Sequence, residues 1–173
     1  MVQTGVSVPG MNRITEREKR AEAERTRESS EPRIVGMTPD GMTGDSIEAV
    51  LRRRIDELAQ AIRDKNLDKL MTFYATDVVV FDLPAPLHVR GADAYRQNLE
   101  RWFGSFEGPL GFELHTLRVV PGDGAAFCHY LGLITGARSA QHKTGYWVRG
   151  TTCFERRDGE WLVTHEHIST PKS

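Results

Sequence analysis

Asp82 closes an apolar run, Val78-Val79-Val80-Phe81. Valine and phenylalanine in that order suit a buried strand. An ionised carboxylate at its end must be solvated, paired or protonated, so Asp82 is not there for packing. Desolvation that raises its pKa toward the working pH would make it a base or acid for moving a proton. The plainer alternative is an acid that caps the turn after the strand. A second group stands near the C-terminus, His165-Glu166-His167. In a strand the two histidines share one face and Glu166 takes the other. If Glu166 faces Asp82, two carboxylates make an acid/base pair. If the histidines do, a His–Asp pair forms. Otherwise the histidines are bonded within the sheet or at a subunit contact. Trp161 and Val163 share the histidine face, so alternation leaves the facing open. A third group is Trp147-Val148-Arg149-Gly150-Thr151, where Trp147, Arg149 and Thr151 share a face. An arginine among aromatics can hold a carboxylate or enolate through two hydrogen bonds. It can equally pair with Asp82 or Glu166, or lie at a dimer surface.

Other chemistries find little support. His165, His167, His129 and His115 can converge across neighbouring strands, and imidazole is a common zinc ligand. Two histidines two apart in a strand are a weak signal, and there is no HExxH or CxxC, so no metal is expected. There is no G-x-S-x-G, P-loop or strand–GxGxxG–helix unit. Cys128 and Cys153 read as small core residues in a reducing cytoplasm. His129 follows Cys128, but neighbours in a strand point to opposite faces, which argues against a thiolate–imidazolium pair.

The elements that must position these groups follow from periodicity. Asp45 and Glu48 have the spacing of an N-cap and its N3 partner. Ile47, Val50, Leu51, Ile55, Leu58 and Ile62 then form one helical stripe, and the helix is expected to end near Lys65. Asn66 can cap a short helix in which Leu67, Leu70, Met71 and Tyr74 face inward. After Asp82 comes a corner at Pro84-Ala85-Pro86, then a short strand, His88-Val89-Arg90. Gly91 leads into a helix with Tyr95, Leu99, Trp102 and Phe103 at helical spacing. Strands are expected over 112–120, 125–135, 144–154 and 161–169, with turns at Pro121 to Gly124, Gly136 to Ser139 and Arg157-Asp158-Gly159. Helices first and an antiparallel meander afterwards argue for an α+β fold.

Three stretches, FYATDVVVFD, LHVRGADAY and DGEWLVTHEHIST, resemble the ketosteroid isomerase and SnoaL-like polyketide cyclase branch of the nuclear-transport-factor-2-like superfamily. The resemblance covers about residues 45–170. It implies a cone: a curved, mixed sheet of about six strands on three main helices, with a pocket between them and a homodimer through the outer sheet face. It puts Asp82 at the position of the isomerases' general base and Thr164, Glu166 and Ile168 on the pocket face. The isomerases' oxyanion tyrosine falls near Leu58 and their second aspartate near Gly150. The oxyanion hole is therefore missing, and the donors in its place would be Tyr74, Tyr95, Trp147, Arg149 or a histidine. The fold hosts isomerases, cyclases, epoxide hydrolases, dehydratases and assembly modules, so it does not fix the reaction.

With 173 residues the chain suits one domain with a real core. A net charge of −1 gives no sign of a nucleic-acid or membrane-surface partner. No apolar run is long enough to span a membrane, and no secretory signal is visible. Residues 1–44 differ from the rest: between Arg13 and Arg33 stand seven Lys/Arg and six Glu without an apolar face. That composition reads as a disordered charged arm or, alternatively, a partner-binding tail. The domain takes 45–173.

The expected function is a small, cofactor-independent cytoplasmic enzyme of the isomerase, cyclase or dehydratase type. It would transfer protons on an apolar, carbonyl-bearing small molecule. Asp82, Glu166, His165 and His167 are the candidate catalytic residues. Tyr74, Tyr95, Trp102, Phe103, His129, Trp147 and Arg149 are the candidate binding residues. The alternative is a non-catalytic small-molecule-binding or homo-oligomeric assembly module. A third reading, similar to limonene epoxide hydrolase, needs an Asp–Arg–Asp arrangement for which no second aspartate is evident.

Overall fold

A computed structural model describes residues 46–139 and 142–171; the expected charged arm lies outside them. The first helix, α1 (Ile47–Arg63), buries Leu51, Ile55, Leu58, Ala59 and Ile62 along one stripe. Its N-cap is Ser46, whose hydroxyl accepts from the Ala49 N–H at 3.2 Å. Asp45, expected in that role, lies outside the described residues. Asn66 caps α2 (Leu67–Met71) by accepting from the Lys69 N–H at 3.0 Å. The chain then enters β1 (Tyr74–Phe81), passes a Pro-rich corner, forms the two-residue β2 (Val89–Arg90) and continues into α3 (Ala92–Gly104). Tyr95, Leu99 and Phe103 are the buried stripe of α3.

Four long strands complete the fold: β3 (Glu107–Val120), β4 (Ala125–Ser139), β5 (His142–Arg157) and β6 (Glu160–Ser169). They form an open sheet of order β2-β1-β6-β5-β4-β3, in which only β1 and β6 run parallel. This is the curved, mixed α+β sheet the resemblance implied, and it is not closed into a barrel. β4 and β5 run further than the sequence suggested. Their pairing continues to Ser139 and His142, so Gly136 lies in a strand and not in a loop. The Asp158-Gly159 turn joining β5 to β6 has both residues at positive φ, 52° and 87°, as a type I′ hairpin requires. Among the described residues no helix is long and apolar enough to cross a membrane.

One irregularity decides what the sheet presents to the helices. On β6, His165 pairs with Cys153 of β5, yet Val163 pairs with the next residue, Phe154. Thr164 is therefore an extra residue in β6, a β-bulge. Before it Trp161 and Val163 face inward, and after it Glu166 takes over the buried face. A one-residue insertion reverses the alternation. The two apparently buried sets, 161/163 and 166/168, are thus on the same side.

Candidate functional site

Between the sheet and the helices lies a cavity of about 360 Å³ with mostly apolar walls. Ile62 of α1, Leu99 and Trp102 of α3, Ile134 of β4 and Val148 of β5 supply much of that wall. At the base sits Glu166, 4% exposed. Three hydroxyls donate to its carboxylate. Tyr74, from the start of β1, and Tyr95, from the first turn of α3, reach Oε2 at 3.0 and 3.1 Å. Thr152 of β5 reaches Oε1 at 3.1 Å. The two tyrosine rings meet edge to face, with centroids 5.1 Å apart, which fixes both phenols on one oxygen.

Burial raises the Glu166 pKa above its ordinary value; the three hydroxyl bonds pull it back, and the charge of Asp82 pushes it up further. Burial, followed by the Glu166 charge, raises the pKa values of Tyr74, Tyr95 and Tyr130 well above the ordinary phenol value. The phenols therefore stay protonated and act as donors. Asp82 follows the last residue of β1 and lines the cavity near Leu83 and Pro84. It is half-buried and accepts from the Leu83 N–H at 2.7 Å. Desolvation raises its pKa, against that one hydrogen bond. Two carboxyls with raised pKa values thus share one largely apolar space. Such a pair can divide protonated and ionised roles.

The SnoaL-like domain family profile matches residues 51–173. The chain belongs to this SnoaL-like family. No curated protein sequence matches it. Among solved structures it is similar to a nuclear-transport-factor-2-like protein of unknown function from Pseudomonas putida, at 32% identity and a TM-score of 0.67, covering 73% of this chain and 87% of that one. A candidate dehydratase of the same superfamily from Streptomyces avermitilis is 13% identical, with a TM-score of 0.65, 74% of this chain and 100% of that one covered. The association domain of C. elegans CaMKII is 17% identical, with a TM-score of 0.59, 71% of this chain and 95% of that one covered. These last two share the fold alone.

In this SnoaL-like domain the expected site residues separate into two groups. Asp82, Glu166, Tyr74, Tyr95 and Trp102 line the cavity. Phe103 is buried but does not reach the cavity wall. His129, Trp147, Arg149, His165 and His167 lie on the opposite face of the sheet. There His165 Nδ1 is 2.8 Å from the Val79 carbonyl oxygen, and Phe81 packs edge-on against both His165 and His167. Trp147 packs against His115, and Arg149 donates to the Thr170 carbonyl at 2.9 Å. Arg149 is therefore not paired with Asp82 or Glu166 among the described residues and does not line the cavity. Among the described residues no group of His, Cys, Asp and Glu is placed to hold a metal.

Four polar residues of the cavity wall escaped the sequence reading, Asn98, Tyr130, Arg138 and Tyr146, as did Thr152, which donates to Glu166 from β5. For Tyr146 and Thr152 alternation in β5 carries the missing signal, because Val148, Gly150, Thr152 and Phe154 form its small and apolar face. Opposite Gly150 stands Tyr130 of β4. A Cβ at Gly150 would lie 2.3 Å from the Tyr130 Cζ, so the missing side chain makes room for that ring. The position near which the isomerases' second aspartate falls is here occupied by a phenol from the next strand.

Proposed function

We propose that this domain is a cofactor-independent enzyme that moves protons on an apolar, carbonyl-bearing small molecule, as an isomerase, cyclase or dehydratase does. The observation that carries this reading is the pair of carboxyls with raised pKa values in one mostly apolar cavity, the deeper of them held by three hydroxyl donors. Asp82, near the Pro-rich corner, takes the proton from carbon. The Glu166–Tyr74–Tyr95 cluster stabilises the developing oxyanion. When Glu166 is protonated, its phenol partners need not donate to it and can turn to a ligand oxygen. Kinship in fold to a candidate dehydratase agrees with such chemistry. The proposed test is hydrogen–deuterium exchange into the acetyl methyl of 2-acetylnaphthalene in D₂O, followed by proton NMR. Wild-type protein should accelerate it, and Asp82→Asn should slow it by about 10²–10⁴-fold. Binding of the ketone without exchange would sink the catalytic reading and leave a ligand-binding module.

The outer face of the sheet supports a homodimer as a further part of this proposal. Phe81 and Phe127 are 43% and 41% exposed there, beside Leu131, Leu133 and Trp147. Sedimentation should give twice the chain mass. A monomer would remove the dimer, and a larger ring would favour an assembly role like that of the association-domain relative.

A further inference from the structure

We infer that the ligand carries a carboxylate at the end of the cavity away from Glu166, held by Arg138 together with Tyr146 and Asn98. This rests on the cavity being the ligand site proposed above. The two ends of the cavity differ in hydrogen-bonding character. At the Glu166 end, donors and acceptor satisfy one another. At the Trp102 end, donors predominate. Arg138 is exposed overall and also lines the cavity, and among the described residues its partner is the Phe106 ring, 5.2 Å from the guanidinium carbon. The other arginines with ion pairs, Arg52, Arg96 and Arg157, have carboxylates at hand. Arg138 has none among the described residues. Tyr146 accepts from the Trp102 indole N–H at 3.2 Å, which leaves its own proton to donate. Asn98, between Tyr95 and Trp102 on α3, also lines the cavity, and its Nδ2 is buried without a hydrogen-bond partner among the described residues.

A guanidinium, a phenol proton and an amide N–H without an acceptor call for an anionic acceptor. One guanidinium with two neutral donors matches the single charge of a carboxylate better than the double charge of a phosphate. The spacing sets the ligand's length. Tyr95, on Glu166, and Trp102, on Tyr146, are seven residues apart on α3, or about 10 Å at 1.5 Å per residue. The walls between them are Leu99, Ile134 and Val148. The ligand class is thus a rigid, apolar keto acid whose carbonyl and carboxylate stand about 10 Å apart.

The probe is 6-acetyl-2-naphthoate, compared with its methyl ester, with affinities read by calorimetry on the full chain. The acid should bind about tenfold more tightly than the ester, a gain of the order of one charge-assisted hydrogen bond. Arg138→Gln should bring that ratio close to one, and Tyr146→Phe should lower it part of the way. Arg96→Gln, which removes a surface ion pair with Asp68, should preserve it. Equal affinities in the wild type, a ratio that survives Arg138→Gln, or binding of neither compound would overturn the inference. Deuterium uptake at the acetyl methyl is read in the same samples. Exchange without a preference for the acid defeats this inference alone. A preference for the acid without exchange defeats only the proton-transfer reading.

Discussion

The two faces of β4, β5 and β6 carry similar residues and use them differently. On the cavity face, Glu166, Thr152, Tyr74 and Tyr95 satisfy one another in a buried cluster, and burial raises the pKa values of the ionisable ones. On the outer face, His165 binds a backbone carbonyl, Arg149 binds another, and His129 and His167 are exposed. Three consecutive residues, His165-Glu166-His167, therefore split between a candidate site and a framework. Residue type does not make that division. The bulge at Thr164 does, by setting the parity of the strand after it. A polar residue in a curved sheet acquires its role from the face it is given.

Glu166→Gln gives the largest expected contrast between the faces. The amide keeps the shape of the carboxyl but cannot pass a proton through the phenols to the developing oxyanion, so deuterium exchange should fall by about 10²–10⁴-fold. A stability signature should accompany that loss. The folded pKa of Glu166 is raised, so the folded state keeps a proton that the unfolded chain has lost. Stability from this group is therefore fully present below the ordinary carboxylate pKa and is lost as pH rises toward and through the folded value. Asp82 acts in the same direction. Asp77 acts in the opposite one, because its hydrogen bond with Arg157 lowers its pKa at the surface. Removing Glu166 should make the melting temperature of the variant gain on wild type as pH rises from about 4. A difference that stays flat with pH would show that Glu166 titrates as it does in the unfolded chain.

Gly150→Ala should have the next largest effect. The added Cβ meets the Tyr130 ring at 2.3 and 2.6 Å, and both residues lie in paired strands that cannot move apart. Overpacking of this kind costs about 1–3 kcal/mol. Tyr130→Leu should relieve part of it, and a double-mutant cycle by chemical denaturation should show coupling between the sites. Additive effects would mean that the Tyr130 ring moves aside freely. By contrast, Gly104 on α3 has no atom near a built Cβ, so Gly104→Ala should be tolerated.

The fold was legible because its signals are local. The stripe Leu51-Ile55-Leu58-Ile62, the Asn66 cap and the Asp158-Gly159 turn each specify an element within a few residues. Asp82 was legible too, since a carboxylate that ends a run of Val and Phe contradicts its surroundings. The facing of the last strand was not. Trp161, Val163, Glu166 and Ile168 share a side only because Thr164 is unpaired, and a bulge leaves no composition signal in a segment with no glycine. Tyr74 and Tyr95 were visible as candidates. Their meeting on Glu166 joins residues 92 and 71 positions apart, a coincidence that only the folded sheet creates. Arg138 was hidden for a simpler reason. The sequence reads as a loop around Gly136, whereas the strand continues and brings the guanidinium to the cavity.

The smallest expected effects belong to the outer histidines. His165→Ala removes a bond to the Val79 carbonyl, and a hydrogen bond of this kind contributes about 0.5–1.5 kcal/mol. His167→Ala loses only an edge contact with Phe81 and should cost less. Neither ring reaches the cavity, so both variants should exchange deuterium at rates within about twofold of wild type, as surface substitutions remote from a site generally do. Exchange and denaturation must be measured on the same samples, because a loss of folded protein would imitate a loss of activity. If His167→Ala slowed exchange as strongly as Glu166→Gln, the histidine would be acting in the site. The strand would then have to be one residue out of the register described, with the bulge at Thr164 absent. If His165→Ala lowered stability while leaving exchange intact, the ring would be a fastener between β6 and β1. The division of labour between the faces would then rest on one inserted residue.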